Sequence, residues 1–231
     1  MNAVMYFSCT GHGKAVAEIL SARLGFMLKE LNLRAQDGIP DGGYSTAVVV
    51  FPVHCQSYPA VLKKFFKELK AERVALIAVY GKADAGNAVF EAAKLISGKV
   101  VAAAYIPVGH SYLNDGYTPA ELPEKLIEKI LNPRPVAVPK RRKTPFAGFL
   151  PSLRSRLLVR IKRTEKCVNC NKCGENCPMG AIKNGRINAK CARCLKCVAN
   201  CPEGALKVKK ARILTRYLEK ANRNEIILYT K

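Results

Sequence analysis

Residues 6–14 read YFSCTGHGK, and the fold of the first half of the chain turns on this stretch. The run AVMYF (3–7) that leads into it is continuously apolar, as in a strand covered on both faces. Small residues then make a tight turn, and KAVAEILSARLG sets Val16, Ile19, Leu20 and Leu24 at helical spacing. A strand, a glycine-containing turn and a helix start present backbone N–H groups together, an arrangement that holds phosphate. Two common phosphate patterns fail here. A G-x4-G-K-[ST] loop counted back from Gly13 and Lys14 puts Ser8 at its first glycine and Ala15 at its hydroxyl position. A G-x-G-x-x-G fingerprint is met at Gly11 and Gly13 but broken at Val16.

The alternation continues outward from this stretch. TAVVVFPV (46–53), RVALIAVYG (73–81) and KVVAAAYIP (99–107) read as buried strands. PAVLKKFFKELK (59–70), NAVFEAAKLIS (87–97) and TPAELPEKLIEKIL (118–131) read as the helices between and after them, with Pro59 near a helix start. A short edge strand is expected within Phe26–Arg34. Strands alternating with helices predict a doubly wound parallel sheet, an α/β fold, over residues 1–132.

Charge divides the chain differently. Residues 1–132 carry a net +2, residues 133–166 a net +10 and residues 167–231 a net +10, within a total of +22. No basic leader precedes a long apolar segment, and no apolar run approaches the length of a membrane span, so a cytoplasmic protein is expected. Ten tightly clustered cysteines in such a chain point to metal rather than disulfides.

Residues 133–158 hold five prolines and many basic residues and read as a linker. Phe146, Phe149, Leu150, Leu153 and Leu157 fall on one helical face beside arginines. That face suits either an anionic membrane surface or, the preferred reading, packing between domains. Val159–Thr164 is expected to be a strand entering a second domain, residues 159–231, with a C-terminal extension.

That domain contains a repeat of period 24: CVNCNKCGENCPMGAIKN aligns with CARCLKCVANCPEGALKV. Cys167, Cys170, Cys173 and Cys177, followed by Pro178, have the spacing C-x2-C-x2-C-x3-C-P. Cys191, Cys194, Cys197 and Cys201, followed by Pro202, repeat it. Three closely spaced thiolates can wrap one cuboidal iron–sulfur cluster, and the fourth, before the proline, serves the neighbouring one. Cys167, Cys170, Cys173 and Cys201 are therefore assigned to one [4Fe-4S] cluster, and Cys191, Cys194, Cys197 and Cys177 to the other. Structural zinc uses separated cysteine pairs and fits this crowding poorly. The segment resembles the two-cluster bacterial ferredoxins over residues 159–210 and implies an α+β ferredoxin-like domain.

The opening loop, Ser8-Cys9-Thr10-Gly11-His12-Gly13, resembles the phosphate loop of the flavodoxins, except that Gly13 stands where a hydroxyl residue is usual. That resemblance implies FMN, with its phosphate on Ser8 to Gly13 and on Lys14. In flavodoxin-like folds the cofactor sits beyond the carboxyl ends of the strands. FPVHCQSYP then suits a loop packing on the flavin ring through Pro52, Val53 and His54, with Tyr58 stacking. Tyr80, Gly81, Lys82, Gly86 and Asn87 are placed near the ring's polar edge.

The whole chain resembles the EFR1-type flavodoxin–ferredoxin fusion family in YFSxTG, FPVHxxxxP, VYG, YIPVGHSY, the double cysteine run and RILTRYL. The resemblance implies FMN and two [4Fe-4S] clusters in one electron-transfer chain. Cys9, His12, Gly13 and His54 depart from that family's commoner residues.

Cys9, His12, His54, Cys55 and His110 all follow predicted strands and would share one rim. They lack ligand spacing, so polar lining is preferred over a further metal or thiol redox site. The basic half has no recognised nucleic-acid motif. An acidic protein of ferredoxin or flavodoxin type is the expected partner. The favoured function is an electron relay. Two alternatives stand beside it: a flavin-dependent reductase of a small substrate, and a flavin-free binding module on a flavodoxin-like scaffold.

Overall fold

The computed structural model describes residues 1–31, 33, 43–113, 116–143 and 151–230. Its first half is a sheet of five parallel strands. In chain order they are β1 (Asn2–Tyr6), β2 (Met27–Glu30), β3 (Tyr44–Pro52), β4 (Ala71–Tyr80) and β5 (Lys99–Pro107). The spatial order is β2-β1-β3-β4-β5, the flavodoxin-like order, whose switch point lies between β1 and β3. The short edge strand falls inside the stretch expected for it.

Helix α1 (His12–Leu24) follows β1 and ends at Gly25, which takes the left-handed conformation at φ 66°. A 3₁₀ turn (Ala60–Leu62) leads into α2 (Lys63–Glu68), α3 (Ala88–Ala93) follows β4, and α4 (Glu124–Leu131) follows β5. The predicted helix 87–97 is thus shorter than expected. Leu20 of α1 and Leu126 and Ile130 of α4 pack on one face of the sheet. Leu62, Phe65 and Phe66 pack with Val89 of α3 on the other. Both faces are covered, which is why the strands read as unbroken apolar runs.

Residues 133–143 run along the first half. The Val136 N–H donates to the Val100 carbonyl at 2.9 Å, and Val138 packs against the core. The Asn87 side chain accepts from the Arg141 N–H and donates to its carbonyl, and Lys143 pairs with Glu91. Phe146, Phe149 and Leu150 lie outside the described residues, as does the Leu153 side chain. In α5 (Pro151–Leu158) Leu157 is 64% exposed, and Leu158 lines the cavity described below. The expectation that Leu157 packs between the domains is corrected accordingly.

The second half opens with β6 (Val159–Arg163), the strand expected there. It continues through α6 (Lys172–Glu175), the hairpin of β7 (Ile182–Lys183) and β8 (Arg186–Ile187), then α7 (Lys196–Ala199) and β9 (Leu206–Lys210). Strands β6 and β9 pair antiparallel. Asn184 and Gly185 turn the β7–β8 hairpin with φ of 45° and 74°, both positive as a type I′ turn requires. The repeat of 24 recurs in the backbone. Asn171 and Leu195 have φ of 58° and 63°, and Gly180 and Gly204 have φ of 56° and 54°.

After α8 (Arg212–Lys220) the chain returns to the first half. The last strand, β10 (Ile227–Tyr229), pairs antiparallel with β5, setting Ile227 opposite Tyr105. The Tyr80 hydroxyl donates to the Glu225 carbonyl at 2.6 Å. The C-terminal extension therefore closes the edge of the first sheet, a role with no signal in the sequence.

Candidate functional site

A cavity of about 480 Å³ opens at the carboxyl ends of β1, β3, β4 and β5, within the usual size range of cofactor sites. One wall is the rim of the first sheet. The opposing wall comes from Pro178, Met179 and the loop Lys190–Cys194, with Leu214, Tyr217 and Leu218 of α8 beside it.

Of the expected flavin-site residues, Ser8, Cys9, Thr10, His12 and Gly13 line the cavity from the first loop. Pro52, Val53, His54 and Gly81 line it from the loops after β3 and β4. All five of the rim histidines and cysteines, Cys55 and His110 included, face the same space. Among the described residues, no three His, Cys, Asp or Glu side chains are placed to hold a single metal ion.

The first loop is shaped by its own hydroxyls. Ser8 Oγ accepts from the Gly11 N–H at 3.2 Å, and Thr10 Oγ1 meets Ser111 Oγ at 2.9 Å. Gly11 has φ 95°, a conformation that glycine adopts readily. His12 is the first residue of α1, with Nδ1 at 3.5 Å from Thr118 Oγ1. Gly11 before the helix supplies no side-chain cap, and the positive end of the helix dipole there favours an anion. A Cβ at Gly13 would meet nothing closer than 3.4 Å, so packing does not forbid the first atom of a side chain there.

The other expected residues lie elsewhere. Lys14 points along α1 to Glu18, and Gly11 shapes the loop without lining the cavity. Tyr58 packs edge-on against Phe66 at 5.4 Å, part of the core that anchors its loop. Tyr80 is 2% exposed and holds the C-terminal return. Lys82 lies over the ring of Tyr117 at 4.1 Å. Gly86 and Asn87 clasp the preceding loop. The Asn87 N–H donates to the Gln56 carbonyl at 2.8 Å, and a Cβ on Gly86 would strike that same oxygen at 2.3 Å. These positions build the rim rather than its inner surface.

Three rim loops grip three consecutive residues of the opposing wall. The His54 side chain hydrogen-bonds the backbone of Ala192. Tyr112 Oη donates to the Arg193 carbonyl at 2.8 Å. The Cys9 thiol hydrogen-bonds the Cys194 sulfur. Lys210 Nζ donates to the Tyr112 carbonyl, and Lys196 approaches Glu30 at 3.4 Å. Sequence reasoning assigned no role to Tyr112, although it lies inside the quoted stretch YIPVGHSY.

This packing sets the protonation of the rim. The hydrogen bond to Cys194, together with burial, holds the Cys9 thiol far above its ordinary range. The same bond lowers Cys194 below its ordinary range. Burial lowers the His54 pKa, which favours the neutral ring.

The eight repeated cysteines gather closely in the second half. Cys167, Cys170, Cys173 and Cys201 line one small cavity between the two halves of the repeat. Cys197 is raised to about 12, first by burial and then by the nearby sulfurs of Cys194, Cys191, Cys177 and Cys173. The Ala181 and Ala205 N–H groups donate to the Cys177 and Cys201 sulfurs, each at 3.3 Å, and the Arg193 N–H donates to that of Cys191 at 3.4 Å. Backbone donors aimed at sulfurs of buried or partly buried cysteines suit thiolates that carry negative charge.

Residues 161–183 match the family described as "4Fe-4S binding domain", a span that includes Cys167, Cys170, Cys173 and Cys177. The chain is similar to a two-electron reduced Megasphaera elsdenii flavodoxin at 17% identity, over 56% of this chain and 95% of that one, with a TM-score of 0.39. It is also similar to a flavodoxin from the domain Archaea at 16% identity, over 57% of this chain and 92% of that one, with a TM-score of 0.37. A search of curated proteins found no match. Among the described residues no helix is long and apolar enough to cross a membrane.

Proposed function

We propose that the chain is an electron-transfer protein of the EFR1-type fusion family, with FMN in the cavity between its halves and two [4Fe-4S] clusters on its eight repeated cysteines. The observation that carries this reading is the apposition of two walls. The uncapped helix N-terminus of the first half and the cysteine loop 190–194 of the second line one cofactor-sized space.

The residues fit the groups. Ser8 through Gly13 would receive the phosphate, and Pro52, Val53 and His54 would flank the ring. Cys191, Cys194, Cys197 and Cys177 would hold one cluster beside the cavity, and Cys167, Cys170, Cys173 and Cys201 the other. When bound, the flavin supplies two-electron chemistry in single steps and the clusters supply one-electron storage. The chain's own residues fix distance and exclude water: Cys9, His54 and Tyr112 clamp the cysteine loop to the rim, and α8 closes the cavity's side. The basic surface suits an acidic redox partner, and the work suits the cytoplasm.

Anaerobic reductive titration tests the proposal. The relay takes up about four electrons per chain, two bleaching the flavin and one for each cluster. Uptake of about two electrons with no flavin bleaching contradicts it.

A further inference from the structure

The two cysteine sets are not equivalent. The set built on the second motif faces inward: the loop Lys190–Cys194 walls the cavity, and all three rim contacts reach it. The set built on the first motif shares no lining residue with that cavity. Its Cys170 is the one exposed cysteine of the eight, and Val168 beside it is 65% exposed.

The surroundings of that outer set are basic. Five residues next in sequence to its lining residues are exposed cations: Lys166, Lys172, Lys183, Arg186 and Lys207. Arg163 joins them, donating to Asn169 Oδ1 and to the Asn184 carbonyl, each at 2.9 Å. Against these stand three exposed acids, Glu165, Glu175 and Glu203. The face therefore combines an accessible cluster ligand, a small apolar contact and an excess of positive charge. Such a combination attracts and orients a partner of opposite charge.

We infer that the face around Val168 and Cys170 is the docking surface for an acidic one-electron carrier protein. The inference rests on the proposed function above and adds a direction to it: the second-motif side serves the cavity, and the first-motif side serves the partner. Each encounter moves one electron and no proton. Either the carrier is oxidised and this chain reduced by one electron, or the reverse.

Calorimetric binding of the anaerobic full-length chain to an acidic [2Fe-2S] ferredoxin tests the assignment. Two double charge reversals are compared, with iron, sulfide and flavin counted in every preparation. K166E/K172E alters the proposed face, and R212E/R216E alters exposed α8 on the cavity side. At low salt the first is expected to weaken binding about tenfold or more, and the second less than about threefold. Equal losses, a larger loss in the α8 variant, or no binding by an iron-replete wild-type chain overturns the docking face. A wild-type chain that takes up no iron instead overturns the underlying functional reading.

Discussion

The Tyr112 hydroxyl donates to the carbonyl oxygen of Arg193 across 2.8 Å and 81 residues of sequence. Arg193 stands between Cys191 and Cys194, so this one bond ties the loop after β5 to the cysteine loop of the other half. Replacing Tyr112 by Phe keeps the ring and strands the carbonyl. The expected cost is about 1–2 kcal/mol. In a chain of this size that lowers the melting temperature by about 2–8 °C. Calorimetry on Y112F checks it, with iron content expected to stay at the wild-type level.

Cys9 makes a more specific prediction. A hydrogen bond to a cluster sulfur stabilises the more negative, reduced state. C9A is expected to lower the reduction potential of one cluster by some tens of millivolts, on the order of one weak hydrogen bond. The other cluster should stay unchanged. C9S keeps a donor and should shift the potential less. A redox titration followed by electron paramagnetic resonance reads both clusters; unchanged potentials in C9A would remove Cys9 from its assigned role.

Much of this arrangement was legible in the sequence because it rests on local pattern. Apolar runs of strand length, covered on both faces, announced the parallel sheet, and the period of 24 announced the paired cysteine loops. Long-range placement was not legible. Gly86 and Asn87 looked like cofactor contacts because glycine and asparagine often line such sites. Their work is to admit and bind the Gln56 backbone, a relation visible only once two loops are folded together. Tyr58 was expected to stack on the flavin, and its edge contact with Phe66 had no local signal in the sequence. Nothing local to ILY at 227–229 distinguishes a closing strand from a tail, because its partner β5 lies more than a hundred residues earlier.

Gly13 separates a missing group from a forbidden one. A Cβ there meets Phe7 O and Ser8 Oγ at 3.4 Å and Ser8 Cβ at 3.5 Å, in ordinary contact. A serine hydroxyl would add one donor to the phosphate loop, worth about 0.5–1.5 kcal/mol. G13S is therefore expected to tighten FMN binding about two- to tenfold, measured by fluorescence quenching with the free flavin. Weaker binding would mean that the loop does not hold the phosphate as proposed.

His54 gives a pH dependence whose sign follows from burial. Its folded pKa lies below the ordinary 6.5, so the unfolded chain takes up a proton that the folded chain resists. Its stability contribution is complete above pH 6.5 and falls as the pH drops towards the folded pKa, levelling off below it. The wild type should lose more melting temperature than H54Q between about pH 7.5 and 5.5. Parallel losses in the two proteins would show that His54 does not titrate this way.

Cofactor stoichiometry tests the central claim most directly. Protein purified without oxygen should carry one FMN with about eight irons and eight sulfides per chain. That result would place a flavin phosphate on the loop SCTGHG, despite Gly13. Eight irons with no flavin, even after FMN is supplied, would contradict the account and leave two clusters carried on a flavodoxin-like scaffold whose cavity serves another ligand.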